Sequence, residues 1–236
     1  MILEVCCSNI ESVVNAKKTS VNRIELCSQL SIGGLTPSYG LTKLAVEKGL
    51  EVHSLIRPRE GDFCYHKDEL EIMYQDIKIM KELGCQGIVV GILNEDLTLN
   101  QYAMNKIIEI SQGMEITFHR AIDVVKYPLI LLEKLIELKI DRILSSGQQV
   151  TAYEGLQQLK KMKQISNHRI EIMPGSGINS VNCLEFKKAG FNSIHFSAFK
   201  KCSNEIGSEN DSNLFSANLG ESDVEEILKI KNHLKI

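Results

Sequence analysis

The sequence predicts an α/β protein built as a single TIM (β/α)8 barrel over residues 1–236. Three observations carry this. Short β-branched runs alternate with segments of helical period, as in a parallel sheet with crossover helices. Eight such strand-helix units fit into 236 residues, the usual size of that barrel. No linker divides the chain and proline occurs only four times, so no second domain is expected.

The predicted strands are Leu3 to Cys6, Arg23 to Leu26, Glu51 to Ile56, Gly87 to Gly91, Glu115 to Phe118, Arg142 to Leu144, Ile170 to Met173 and Ser193 to Phe196. Helices follow at Ile10 to Lys18, Leu41 to Lys48, Lys67 to Leu83, Asn100 to Ser111, Pro128 to Leu138, Ala152 to Ile165, Ser180 to Lys188 and Ser222 to Leu234. The third is clearest: Leu70, Met73, Tyr74, Ile77, Met80 and Leu83 recur three or four apart on one face, and Gly84 ends it. Pro128 suits the first turn of the fifth. From Lys200 to Asp223 the chain is polar, rich in Ser and Asn, and without period. It is expected to be a long loop, lid or arm, docking on a partner subunit in a homodimer or higher homo-oligomer, while its composition equally suits plain disorder.

Lys plus Arg number 27 against 30 for Asp plus Glu, a formal charge of -3. No cationic field exists to hold nucleic acid or an anionic bilayer. No apolar run approaches the roughly 20 residues of a membrane span, and Met1-Ile2-Leu3-Glu4 does not open a signal peptide. The expected location is cytoplasmic. Seven cysteines without a CxxC pair suggest reduced thiols, most of them small buried hydrophobes.

Barrel strands are buried on both faces, so an ionisable residue within one needs a reason. Alternation sends Leu3 and Val5 outward to the helices and Glu4 and Cys6 inward. It likewise sends Arg23, Glu25 and Cys27 inward, and sets Cys7 against the helices. His53, Leu55, Arg57 and Arg59 share a parity on strand three; strand five ends in Thr117 and His119, followed by Arg120 and Asp123. Arg23 and Arg142 precede their hydrophobic stretches and read as structural ion pairs at the barrel bottom. Glu25, Arg57, Arg59, His119 and Asp123 fall at the carboxyl ends, where barrel active sites are built. Cys6 and Cys27 end adjacent strands on inward parity, close enough for one soft ion such as Cu(I) to bridge; two core cysteines would show the same spacing.

The loop Gly33-Gly34 to Pro37 allows close backbone approach to a ligand, as would a plain turn. Gly175 and Gly177 after strand seven, with His195 and Ser197 at the end of strand eight, fit the usual barrel phosphate site, or a tight structural turn. Ser180 stands where a dinucleotide fingerprint needs its third glycine.

Read in order, LEVC (Leu3 to Cys6), RIELC (Arg23 to Cys27), GGLTPS (Gly33 to Ser38), IRPREGDFCY (Ile56 to Tyr65), TFHRAID (Thr117 to Asp123), RILSSG (Arg142 to Gly147), MPGSGI (Met173 to Ile178) and HFSA (His195 to Ala198) resemble the CutC family of copper homeostasis proteins over about residues 1–200. Ile122, Ser145 and Ser176 depart mildly from the common pattern. The resemblance implies a TIM barrel, a cytoplasmic homo-oligomer and a Cu(I) role for Cys6 and Cys27.

Two functions follow as expectations. One is Cu(I) binding through Cys6 and Cys27. The other is an enzyme, of lyase, isomerase or hydrolase type, acting on a small anionic or phosphorylated metabolite. Here Arg57 and Arg59 would clamp the anion in forked geometry, His119 or Glu25 would act as acid or base, and Asp123 would orient His119, with Arg120 in the same charged set around the mouth. A metal-dependent variant would use His119, His195 and a glutamate.

Overall fold

A computed structural model describes residues 1–202 and 220–236. Eight parallel strands form the sheet: β1 (Ile2–Cys7), β2 (Arg23–Leu26), β3 (Val52–Leu55), β4 (Gly87–Val90), β5 (Glu115–Phe118), β6 (Arg142–Ser145), β7 (Glu171–Pro174) and β8 (Ser193–Phe196). Their order is β7-β6-β5-β4-β3-β2-β1-β8, and a parallel bridge between Gly175 and His195 closes the ring. Helices α1 (Ile10–Lys18), α2 (Tyr39–Glu47), α3 (Lys67–Glu82), α4 (Gln101–Ile110), α5 (Pro128–Glu137), α6 (Leu156–Ser166), α7 (Cys183–Lys188) and α8 (Val224–Leu234) cover the outside. The molecule is a TIM barrel, as the alternation predicts.

Alternation sorts the strand residues as expected. Leu3, Val5, Cys7, Ile24, Leu26 and Phe118 join the buried layer between sheet and helices, whereas Cys6, Cys27, Leu55 and Val89 form a separate apolar plug inside the barrel. Glycines on β4 and beyond make room there for imidazoles from neighbouring strands. A Cβ on Gly87 would lie 2.5 Å from the His53 ring, and one on Gly91 would lie 2.3 Å from the His119 ring.

The helix starts differ from expectation at α6 and α7, which begin at Leu156 and Cys183 rather than Ala152 and Ser180. A turn intervenes before α6, where Gly155 packs so close to the Ser146 carbonyl that a Cβ would lie 1.9 Å from it. The segment expected to be loop from Lys200 to Asp223 is ordered at both ends. β9 (Phe199–Lys201) pairs antiparallel with β10 (Gly220–Ser222), so Ser222 ends a strand and Asp223 caps α8 by accepting from the Glu225 amide. β10 is tied to α1, since Asn9 Nδ2 donates to the Gly220 carbonyl at 2.7 Å and Asn15 Nδ2 to the Ser222 carbonyl at 3.1 Å. The expected arm itself, residues 203–219, lies outside the described residues.

Candidate functional site

The amino-terminal end of the barrel holds the structural ion pairs. Arg23 is buried against Glu4 and lies 3.5 Å from Glu51. Arg142 donates to Glu171 at 2.8 Å, Glu115 at 2.9 Å and the Thr117 hydroxyl at 3.0 Å. Both arginines thereby sit with carboxylates that offset the cost of taking them out of water.

At the carboxyl end a cavity of ≈ 1150 Å³ opens inside the strand ring. Its walls include Cys6, Glu25, Arg57, His119, His195 and Ser197, together with Arg120, Asp123 and Gly177. Cys27 stands behind Cys6, with Sγ to Sγ of 3.7 Å, and Cys6 Sγ is also 3.7 Å from Glu25 Oε1. Hydrogen bonding to Cys27 and burial push the Cys6 thiol well above its ordinary pKa. His195 Nδ1 donates to Glu4 Oε1 at 2.8 Å and lies 4.0 Å from Glu25 Oε2. Burial opposes charge on His195, but the Glu25 and Glu4 carboxylates outweigh it and raise its pKa. Burial alone would raise Glu4, yet the hydrogen bond from His195 and the Arg23 charge hold it far below the usual carboxylate range. Glu25 has less help: burial pushes it up to about 7, with His195 opposing and the Glu4 charge adding to the rise. Cys6, Glu25 and His195 present ligand atoms within 4.8 Å of one another, a soft thiol beside borderline nitrogen and hard oxygen. The thiol pair fits a soft monovalent ion better than a hard one.

His119 has a different role from the one its sequence position suggests. It caps the 3-10 turn Arg120–Val124, its Nδ1 accepting from the Ala121 amide at 3.1 Å. Burial and the Arg57 charge push it down to about 3. The imidazole is therefore neutral with its proton on Nε2, a donor rather than a base. Asp123 does not orient it. The turn swings Asp123 toward β6, where it accepts from the Ser146 amide at 2.9 Å, the Ser145 hydroxyl, the Gln148 amide and Arg120 Nε.

The expected pair of arginine clamps is split. Arg57 stays in the cavity wall, but Nη1 donates to the Ile32 and Gly34 carbonyls and Nη2 to the Gly61 carbonyl, at 2.9 to 3.0 Å. Arg59 turns outward to Glu69 of α3, Asp62 and the Cys64 carbonyl, over the Tyr65 ring. It does not reach the cavity, and Arg57 spends three of its five N–H groups on backbone carbonyls. The reason is local: β3 ends at Leu55 and Pro58 follows, so the alternation that would align the two arginines stops before Arg59. Nor does Gly175 line the cavity; a Cβ there would lie 2.4 Å from Leu144 and 3.2 Å from His195, so this glycine serves packing. Phe63 is a wall that sequence reading misses. Its ring lies 4.8 Å from His119 and 5.4 Å from the Arg57 guanidinium carbon, and the IRPREGDFCY stretch that contains it is its signal.

The CutC family model matches residues 1–200. The chain belongs to the CutC family. A CutC protein of Pectobacterium atrosepticum is 41% identical over 237 residues, covering 96% of this chain and 94% of that one. One of Glaesserella parasuis is 40% identical over 238 residues, covering 100% and 96%. A crystal structure of CutC from Streptococcus agalactiae, whose name carries the words copper homeostasis, superposes with a TM-score of 0.79 at 33% identity, covering 84% of this chain and 98% of that one. Cys6, Arg57, His119 and His195 line one mouth, with Cys27 behind Cys6. Among the described residues no helix is long and apolar enough to cross a membrane.

Proposed function

We propose that this CutC-family protein handles copper by binding Cu(I) at Cys6 and Cys27, in the cytoplasm and as a homo-oligomer. The 3.7 Å approach of the two sulfurs carries the reading, because paired thiols are the donors a monovalent copper ion prefers. His195 or Glu25, each close to Cys6, would add a third ligand to the thiol pair. The test is anaerobic titration of the reduced protein with Cu(I) against a competing chelator, beside the Cys6→Ser, Cys27→Ser double variant. The unaltered protein should retain copper at chelator concentrations that strip the variant. Equal affinities would end the proposal.

A second reading, an enzyme or binding protein for a small anionic metabolite, has its own support. A cavity of ≈ 1150 Å³ is far larger than an ion needs and reaches the size of metabolite sites. Screening a metabolite library by thermal shift tests it. A ligand at about 100 times its dissociation constant should stabilise by about 2.7 kcal/mol, and a library that leaves the midpoint unmoved refutes the reading.

A further inference from the structure

We propose that Glu51, His53 and Glu115 form a cation site at the amino-terminal end of the barrel, distinct from the thiol pair at the mouth, and that it takes Zn²⁺ or a divalent ion of like preference. Among the described residues two groups of His, Cys, Asp or Glu side chains bring ligand atoms together closely enough for one ion. The first is the mouth set of Cys6, Glu25 and His195. The second is this one, whose three ligand atoms lie within 4.8 Å of one another.

The strands build the site directly. Glu51 stands just before β3 and His53 two residues on, so both take the inward parity. In the register His53 faces Gly87 of β4, and Gly87 faces Glu115 of β5. With no side chain at Gly87, the His53 ring leans across β4, so close that a Cβ there would lie 2.5 Å from it. Its Nε2 comes within 3.4 Å of Glu51 Oε1 and 3.8 Å of Glu115 Oε2, longer than an ordinary N–H···O bond. Such gaps suit an ion between the atoms: with metal bonds of about 2.1 Å, neighbouring ligands of a tetrahedron stand about 3.4 Å apart.

His53 is wholly buried, and neither ring nitrogen has a hydrogen-bond partner among the described residues, a state that buried polar groups ordinarily avoid. Glu51 and Glu115 are 42% and 48% exposed, so an ion reaches the nitrogen from solvent by way of the two carboxylates. His53, ahead of Arg23, holds the Glu51 carboxyl below its usual range, which keeps that ligand ionised. Negative charge is in excess, since Glu4, Glu51, Glu115 and Glu171 face only Arg23 and Arg142. Arg23 lies 3.5 Å from Glu51 and 4.0 Å from Glu115, and Arg142 donates to Glu115 at 2.9 Å. Neither guanidinium depends on these two, because Arg23 keeps Glu4, and Arg142 keeps Glu171 and the Thr117 hydroxyl. One imidazole and two carboxylates suit zinc rather than Cu(I). The ion would tie β3 to β5 at the end of the barrel where contacts serve stability.

The experiment uses the full chain carrying Cys6→Ser and Cys27→Ser, so that the mouth thiols take no zinc. Zn²⁺ is titrated against a chromophoric chelator, and the 15N-histidine spectrum is followed in parallel, with the His53 signal assigned by its absence in His53→Gln. One zinc per chain should be retained and the His53 signal should move. Adding Glu51→Gln or Glu115→Gln should weaken retention about tenfold or more, the loss that even groups behind metal ligands produce. Both glutamates are part-exposed, so these two variants should keep the fold even where His53→Gln does not. A chain that yields all its zinc to the chelator overturns the site. So does zinc held equally well by the Glu51→Gln, Glu115→Gln double variant, which would place the ion on exposed histidines, and so does a His53 signal that zinc leaves unmoved. Copper binding at the mouth stands or falls separately from each of these results.

Discussion

Acidification tests the burial of His119 directly. An exposed histidine takes up its proton near 6.5, whereas burial and the Arg57 charge hold the folded side chain down to about 3. Between those values the unfolded chain binds a proton that the folded chain refuses. Stability therefore rises with pH through the window and is lost as pH falls. Inside the window each pH unit is worth about 1.4 kcal/mol, so going from pH 7 to pH 4 this one group removes about 3 kcal/mol of unfolding free energy. Other groups titrate over the same range, and the measurement is accordingly a difference. Urea unfolding of the protein and of His119→Gln is followed at each pH, and the advantage of the unaltered protein should shrink by about 3 kcal/mol across that span. Two curves that stay parallel would show that His119 is not held neutral, and the donor role assigned to its Nε2 would fall with it.

Gly91→Ala should destabilise by about 1–3 kcal/mol through overpacking, because the added Cβ would lie 2.3 Å from the His119 ring and 2.8 Å from Ala121 Cβ; an unchanged thermal midpoint contradicts this. Glu4→Ala leaves Arg23 and His195 without their buried carboxylate, and should cost about 3–5 kcal/mol in urea unfolding, a loss under 1 kcal/mol being the refuting outcome. Arg59→Ala should cost no more than about 1 kcal/mol, since its side chain is 35% exposed and bonded to loop and helix groups outside the cavity.

Periodicity made the barrel legible, and strand parity made the cavity floor legible, because both depend only on which residues a regular strand turns inward. That logic places Cys6 beside Cys27 and Glu25 beside Cys6 from residue numbers alone. It fails where strands end. Arg59 follows a proline beyond β3, and Asp123 lies within a 3-10 turn capped by His119, so neither inherits the direction of its strand. Side-chain chemistry cannot be read from position either. The sequence offers His119 as acid or base, and only the Ala121 amide on Nδ1 turns it into a donor. Ser145 and Ser146, which hold Asp123, sit in the RILSSG motif without any mark of that role.

The two ends of the barrel use buried charge in opposite ways, and the contrast separates the functional readings. At the amino-terminal end Arg23 and Arg142 meet carboxylates at hydrogen-bond or ion-pair distance, although His53, buried beside them, has both ring nitrogens without a hydrogen-bond partner among the described residues. At the mouth, Arg57 Nε, His119 Nε2 and Glu25 Oε2 stay unpaired. Each such atom costs about 1–3 kcal/mol, a large share of the 5–15 kcal/mol that typically holds a domain folded. Copper at the sulfurs would leave Arg57 and His119 as they are, because the thiol wall, with Glu25 beside it, is built by β1 and β2, whereas those two side chains lie just past β3 and β5. If the proposed copper site is right, replacing Cys6 and Cys27 by serine should abolish copper retention while leaving in place the pH dependence that His119 gives to stability, and loss of that dependence in the variant would show that the two groups of side chains are coupled.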